Sequence, residues 1–158
     1  MTFRPSLTVE SLLSQAAAIP GFDLALLAGA AGTSRLVTIA AIQKTGLALA
    51  GFDSYLHGGR ILVFGDSEVS FLASLTSEQR RQSLERALRH DIPGVLLTAG
   101  LQPPPELLVA ADALGVPLLG TSLPTPVAIS RLSALLDDRL APREMVHGVL
   151  LDILGLGV

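Results

Sequence analysis

The chain has 158 residues, of which 49% are apolar and 16% charged. It is therefore long and apolar enough for one domain with a hydrophobic core, and its composition argues against disorder. The absence of cysteine excludes disulfides, thiolate metal sites and cysteine nucleophiles, and the net charge of -3 argues against nucleic acid or an anionic membrane as a partner. Because no apolar run approaches the roughly 20 residues that span a bilayer and Met1–Pro5 lacks a signal-peptide core, a soluble cytoplasmic protein is predicted.

The first fifty residues predict a helix followed by a hairpin. Thr8 is a good N-cap for a helix over Val9–Ala17, where apolar residues recur with helical spacing. Leu24–Leu27 and Leu36–Ile42 are typical of strands, and the glycines between them predict a turn. We expect this pair to form a hairpin at one edge of a sheet. Thr45–Phe52 predicts a short helix.

Three short apolar runs predict the centre of the fold. They are Ile61–Phe64, Gly94–Thr98 and Val116–Leu119, and none alternates polar with apolar residues, which is typical of strands buried on both faces. Helical patterns separate them, so the strands should pair in parallel through crossovers. The sequence therefore predicts an α/β fold: a Rossmann-like three-layer sandwich with a mostly parallel sheet.

Helical spacing predicts four further helices around these strands. Glu68–Leu75 should direct Ala73 inward together with its larger apolar residues. The next runs from Thr76 to about His90. A third opens after the prolines at 103–105 and ends at Gly115, and the last covers about Val127–Leu140.

The helix over Thr76–His90 combines a capping box with a row of arginines. Thr76 and Gln79 have the spacing of the box. The basic residues at outward positions are Arg80, Arg81, Arg86 and Arg89. Two interpretations stay open for them: a solvated face, or a docking surface for another subunit.

The last residues differ from the rest. Pro142 interrupts the preceding helix, and Met145–Leu154 is typical of a strand. We interpret residues 1–141 as an N-terminal α/β domain, and residues 142–158 as a linker with the first strand of a second domain that is cut off.

Several motifs, in order along nearly the whole chain, resemble one known family. The last of them is the most specific. They are Leu7–Val9, Leu47–Gly51, Arg60–Phe71, Pro124–Leu132, Leu140–Pro142 and His147–Val158. On these motifs the chain is similar to the N-terminal part of bacterial HPr kinase/phosphorylase. It departs from the family pattern where Gln43-Lys44-Thr45 replaces Asn-Arg-Pro, and where Leu154 replaces an aromatic residue.

The resemblance implies an enzyme that phosphorylates a serine of HPr, the sugar phosphotransferase carrier, and removes that phosphate by phosphorolysis. It implies ATP or pyrophosphate and phosphate with Mg²⁺ for the full-length enzyme, a homo-oligomer, and a phosphate loop beyond Val158. It also implies that His147 is an active-site residue there. The family's N-terminal domain is similar to the N-terminal domains of Mur ligases, which agrees with the α/β prediction.

No cofactor site is expected in this chain itself. Lys44 is the single lysine, and it follows Ala40–Gln43 without the glycines of a phosphate loop. The chain should therefore be inactive alone. Within the family that it resembles, it would be a non-catalytic regulatory or assembly domain. His57 and His90 have no metal-ligand spacing and are expected to be exposed.

The loops that follow the three predicted parallel strands are a further candidate site. They are residues 65–67, 98–100 and 120–122. Ligands of open α/β sheets gather at such strand ends, where helix N-termini can bind anions. Plain turn and capping chemistry, which Asp, Ser, Thr and Gly supply in any case, is the favoured interpretation, because fold analogy alone does not establish function. A stand-alone domain that binds or senses a small ligand is therefore the alternative function.

Overall fold

The computed structural model describes residues 2–3, 5–141, 143–146 and 149–152. Within these residues the strands are numbered in chain order. They are β1 Thr2–Phe3, β2 Leu7–Thr8, β3 Ala25–Ala28, β4 Leu36–Val37, β5 Gln43–Lys44, β6 Leu62–Phe64, β7 Val95–Leu97, β8 Leu118–Gly120, β9 Arg143–Val146 and β10 Val149–Asp152.

The helices of the described residues follow the predicted order closely. They are α1 Val9–Ala17, α2 Gly46–Leu49, α3 Asp66–Ala73, α4 Ser77–Leu88, α5 Pro105–Leu114 and α6 Thr125–Arg139. Local chemistry sets their ends. Thr8 Oγ1 accepts from the Ser11 amide at 3.1 Å at the start of α1. The predicted capping box opens α4, and Gly115 ends α5 with a left-handed φ of 62°.

A five-stranded sheet of order β3-β8-β7-β6-β5 is the centre of the fold. β5, β6, β7 and β8 are parallel to one another, which confirms the mostly parallel sheet. β3 pairs with β8 in the antiparallel direction at one edge. Parallel strands need long crossovers, and the helices between them supply these.

Helices cover both faces of this sheet, so the three-layer prediction is confirmed. One buried cluster joins α2, α3, α4 and α5 to the side of β6 and β7 that carries Phe64 and Leu97. A second joins α1 and α6 to the opposite side, which carries Leu96 of β7 and Leu119 of β8. Neighbouring strand residues enter different clusters because side chains alternate across a sheet. This is why the strands are apolar throughout.

The predicted hairpin between residues 24 and 42 is wrong. β3 pairs with β8, while β4 pairs with β2 in a separate two-stranded sheet. The physical reason lies between them, where Gly29 has a left-handed φ of 75° and a 3₁₀ turn follows at Ala30–Gly32. A Cβ on Gly32 would overlap the carbonyl group of Gly115, so this turn packs directly on the end of α5. The chain is thereby carried away from β3.

Two smaller predictions also need correction. The strand expected over Leu36–Ile42 is confined to Leu36–Val37, and the chain pairs again only at Gln43–Lys44, beside β6. Ala73 is exposed rather than inward, because α3 begins at Asp66 and presents Leu72 to the core. None of the helices in the described part of the chain is both long and apolar enough to cross a membrane.

The end of the chain contains two strands where one was predicted. β9 and β10 pair with each other in the antiparallel direction, and β9 also pairs with β1 at the other end of the chain. A single strand over Met145–Leu154 is therefore wrong, since His147 and Gly148 separate the two strands in the sequence. The assignment of residues 142–158 to a second domain stays a prediction.

Candidate functional site

The carboxyl ends of β7 and β8 open onto a crevice because their connections leave to opposite faces of the sheet. After β7 the chain enters α5, which packs in the first buried cluster. After β8 it enters α6, which packs in the second. In open α/β sheets, ligands bind in the crevice outside the carboxyl ends of the strands. We call this crevice the switch-point groove.

The switch-point groove has a volume of about 460 Å³. Residues 100–103 of the β7–α5 loop and residues 120–122 of the β8–α6 loop form two of its sides. Asp23, Leu27, Leu97 and Leu108 complete the lining. Two of the three loops predicted from the sequence as a candidate site therefore meet here.

The third predicted loop, residues 65–67, lies against Thr125, the first residue of α6, which in turn pairs with Thr98. Thr98 Oγ1 and Thr125 Oγ1 are 2.6 Å apart, and Thr98 is fully buried. A Cβ on Gly65 would lie 2.9 Å from Thr125 Oγ1, so this position leaves little space for a side chain. The Gly65 amide donates to Glu68 Oε1 at 2.6 Å. A carboxylate of the protein thus already occupies the start of α3.

Asp23 places a second carboxylate against the β8–α6 loop. Its Oδ1 accepts from Thr121 Oγ1 at 2.6 Å, and the Ser122 amide donates to Oδ1 and Oδ2 at 3.1 and 3.2 Å. Hydrogen bonds from Ser122 and Thr121 lower the pKa of Asp23 from 3.8 to about 2, so this carboxylate is ionised at neutral pH. These contacts favour turn and capping chemistry over an anion site at the two loops.

Two successive left-handed residues connect the sides of the groove. Ala99 has φ 57° and Gly100 has φ 63°, and the left-handed region is uncommon for alanine. Their amides donate to Leu123 O at 2.8 Å and Thr121 O at 2.9 Å. These two hydrogen bonds link the β7–α5 loop to the β8–α6 loop, so the groove has a backbone-fixed shape.

Replacing Asp23 with asparagine should destabilise the domain at neutral pH by about 1 kcal/mol, a value reduced for solvent screening because Asp23 is exposed. The folded-state pKa lies below the unfolded value, so the stabilisation is complete above about pH 4 and is lost as the pH falls through 2. Urea unfolding of both proteins across this range measures it. Asp137→Asn, on the exposed side of α6, is the control. A wild-type advantage that persists below pH 2 would contradict the assignment.

A family model provides the first comparison with known proteins. The model described as "HPr Serine kinase N terminus" matches residues 7–136, which include the whole five-stranded sheet. The chain belongs to this family.

Curated relatives agree with the family model. The HPr kinase/phosphorylase of Shouchella clausii is 40% identical over 137 residues, covering 87% of this chain and 44% of the relative. That of Geobacter sulfurreducens is 37% identical over 153 residues, covering 97% of this chain and 47% of the relative. The chain spans about half the length of the curated relatives that it matches.

A solved structure shares the fold. It contains the CBS and DRTGG domains of the regulatory region of Clostridium perfringens pyrophosphatase, in complex with its activator diadenosine tetraphosphate. The TM-score is 0.54 at 13% identity, with 88% of this chain and 52% of that chain covered. At this identity the likeness concerns the fold alone.

The histidines of this HPr serine kinase N-terminal family member occupy different environments. His147 lies outside the described residues, so its active-site role stays a prediction. His57 is exposed, as expected. His90 is only partly exposed, and its Nε2 lies 2.7 Å from Asp53 Oδ2. The hydrogen bond with His90 is the main cause that lowers the pKa of Asp53. His90 thus connects the end of α4 to the loop before β6.

Arg80 does not lie on the exposed face that the helical pattern predicts for it. Its Nε and NH2 donate to Leu72 O at 2.8 Å and Leu75 O at 3.0 Å, at the end of α3. Its NH1 lies 3.1 Å from Glu106 Oε2 on α5. Arg80 therefore joins three helices, whereas Arg81 is exposed and pairs with Glu85 of its own helix. A docking role for the exposed arginines stays a prediction.

The described residues do not fit the Mg²⁺ and ATP that the enzyme activity of the relatives implies. Among them, no group of three or more His, Asp or Glu side chains is placed to hold a metal ion. The carboxylates of Glu68 and Asp23 accept from the Gly65 and Ser122 amides, at two of the loops that could otherwise receive a phosphate. An anionic ligand would be repelled there.

Proposed function

We propose that the chain is the non-catalytic regulatory or assembly domain of an HPr kinase/phosphorylase. The full-length enzyme would phosphorylate a serine of HPr and remove that phosphate, and in this way control carbon metabolism in the cytoplasm. The match to the family model over residues 7–136 is the observation that carries this proposal. A homo-oligomer is proposed for the full-length enzyme only.

The chemistry of the described loops supports a non-catalytic role. Phosphoryl transfer requires positive groups and amides that neutralise the charge on the phosphates. Here Glu68 and Asp23 occupy the corresponding amides, and Lys44 is the single lysine of the sequence. ATP and Mg²⁺ would therefore bind to another part of the full-length enzyme. The chain would influence catalysis only through contacts within that enzyme.

Removing residues 1–141 from the full-length enzyme tests this proposal. We expect the shortened enzyme still to phosphorylate HPr, because the groups that position the phosphates and neutralise their charge would lie outside residues 1–141. Its oligomeric mass or its response to effectors should change. Complete loss of HPr phosphorylation by a folded, shortened enzyme would contradict a purely regulatory or assembly role.

A stand-alone ligand-binding or sensor domain is the second candidate function. The switch-point groove favours it, since such a crevice is the usual ligand site of this type of sheet. The coding sequence after Val158 distinguishes the two candidates. A Gly-x-x-x-x-Gly-Lys-Ser loop there would support the kinase assignment, and a stop codon would support the stand-alone domain.

A further inference from the structure

The position of the switch-point groove distinguishes it from a second groove of similar volume in the described residues. That second groove has about 450 Å³ and is lined by residues 34–36, 38, 58–59 and 91–93, which precede or lie beside the amino ends of the parallel strands. Its arginine, Arg35, donates to main-chain carbonyls and is not available to a ligand in that arrangement. Both grooves are large enough for a small molecule. The switch-point groove is the better candidate for a ligand site because it lies at the carboxyl ends of the parallel strands.

The walls of the switch-point groove are mainly apolar. Leu97 lies at its base, with Leu101 and Leu108 on the side of α5. Leu27 closes the opposite side from β3, at a β-bulge between Leu26 and Ala28, and its side chain reaches over Gly120. A β-bulge changes the direction of a side chain. Leu27 lines the groove and is 44% exposed. An apolar body can therefore bury surface on several leucines at once.

Asp23 sets the charge of the groove. Among its lining residues Asp23 carries the formal charge, and the remaining polar groups are amides and hydroxyls. The two Asp23 oxygens accept three hydrogen bonds from Thr121 and Ser122. Asp23 is itself exposed, so its carboxylate is accessible to the ammonium group of a ligand. These bonds use the Thr121 hydroxyl and the Ser122 amide, two donors that a phosphate or carboxylate ligand would otherwise meet.

We propose that the switch-point groove binds a small organic cation, with an apolar body against the leucines and an ammonium group on the Asp23 carboxylate. This inference goes beyond the regulatory role proposed above and does not rest on it. The site is complete within residues 23–122, so binding is measurable on the chain itself, whether or not a kinase domain follows.

Two probes with the same ring and opposite charge test the proposal. Tryptamine carries an ammonium and indole-3-propionate a carboxylate on equivalent side chains. Titration into the isotope-labelled 158-residue chain should give saturable amide shifts for tryptamine in residues 99–102 and 120–123. A dissociation constant in the millimolar range is the scale for a molecule of this size. Indole-3-propionate should bind at least about tenfold more weakly because Asp23 repels it.

Charge variants locate the site. Leu27→Lys places an ammonium inside the groove at a position that is already half exposed, and it should abolish tryptamine binding. Leu36→Lys is the matched control, since Leu36 is 49% exposed on β4 and outside this groove. It should leave tryptamine binding unchanged. If Leu27→Lys does not fold, Asp23→Asn should weaken tryptamine at least about tenfold.

Three results would overturn the proposal. The first is no saturable shift with tryptamine, and the second is equal affinity for the two probes. The third is tryptamine binding that persists in Leu27→Lys, or in Asp23→Asn if the lysine variant does not fold.

Discussion

Replacing Arg35 with alanine should lower the free energy of unfolding by about 3 kcal/mol, because one side chain satisfies three main-chain carbonyls. Its Nε donates to Gly115 O at 2.7 Å and its NH2 to Leu114 O at 3.0 Å, at the end of α5. Its NH1 donates to Ile92 O at 2.9 Å, just before β7. A cation at a helix C-terminus also interacts favourably with the helix dipole. The variant loses all of these interactions together.

Denaturant unfolding of the wild type and three variants measures this effect. Arg35→Lys should recover only a small part of the loss, since a single ammonium cannot span carbonyls on two separate segments. Arg131→Ala is the control because Arg131 is exposed and makes one long contact, 3.4 Å from Pro20 O. A decrease in the free energy of unfolding of less than about 1 kcal/mol for Arg35→Ala would contradict the prediction. It would mean that water satisfies the three carbonyls in the variant.

Replacing His147 with alanine in the full-length enzyme should reduce the turnover of phosphoryl transfer by about 10²-fold or more. The family resemblance places this histidine in the active site, and a histidine with a pKa near neutrality can act as a general acid or base or stabilise charge on the phosphates. In the isolated chain the same change should alter no catalytic rate. Rates of HPr phosphorylation and dephosphorylation, measured separately, check the prediction.

Val149→Ala separates a chemical role of His147 from a structural one. Val149 begins β10, two residues after His147. Its truncation should cost about 1 kcal/mol of stability and leave the phosphoryl transfer rates nearly unchanged. If His147→Ala only lowered the melting temperature and kept both rates, the assignment of His147 from the family would be wrong for this protein.

The central sheet was predictable because its signal is local. Each of β6, β7 and β8 is a continuous apolar run, and both of its faces are covered, so no polar residue is tolerated within it. Helix starts were equally clear, since Thr8 and Thr76 each cap the amide three residues ahead. These features depend on neighbours within a few residues, which a sequence displays directly.

The contacts that shape the groove and support it are distant in sequence. Asp23 is 98 residues from Thr121, and Arg35 is 80 residues from Gly115. No local pattern distinguishes such an aspartate or arginine from an exposed one. The left-handed Ala99 is likewise hidden, because alanine carries no signal for that conformation. The three candidate loops could be predicted, but not that carboxylates of the chain would occupy two of them.

The edge pairing of β3 failed for a related reason. Two strand-like segments separated by glycines usually form a hairpin. Here the glycines allow a close approach to α5 instead, which depends on residues near 115. The amide of Gly29 also donates to Asp112 Oδ1 at 2.7 Å, which anchors the turn to the same helix. Tertiary contacts therefore determine the path of the chain between β3 and β4.

Titration of Mg-ATP into the isolated chain, followed by a phosphorylation assay with HPr, tests most directly whether this domain is non-catalytic. Calorimetry should show no heat of binding, because the sequence has no phosphate-loop lysine and the carboxylates of Glu68 and Asp23 accept from amides of two loops that could otherwise meet a phosphate. No phosphate should appear on HPr, whereas the full-length enzyme in the same assay should transfer it. Micromolar binding of Mg-ATP to the isolated chain, or transfer of phosphate to HPr by it, would contradict the proposed function.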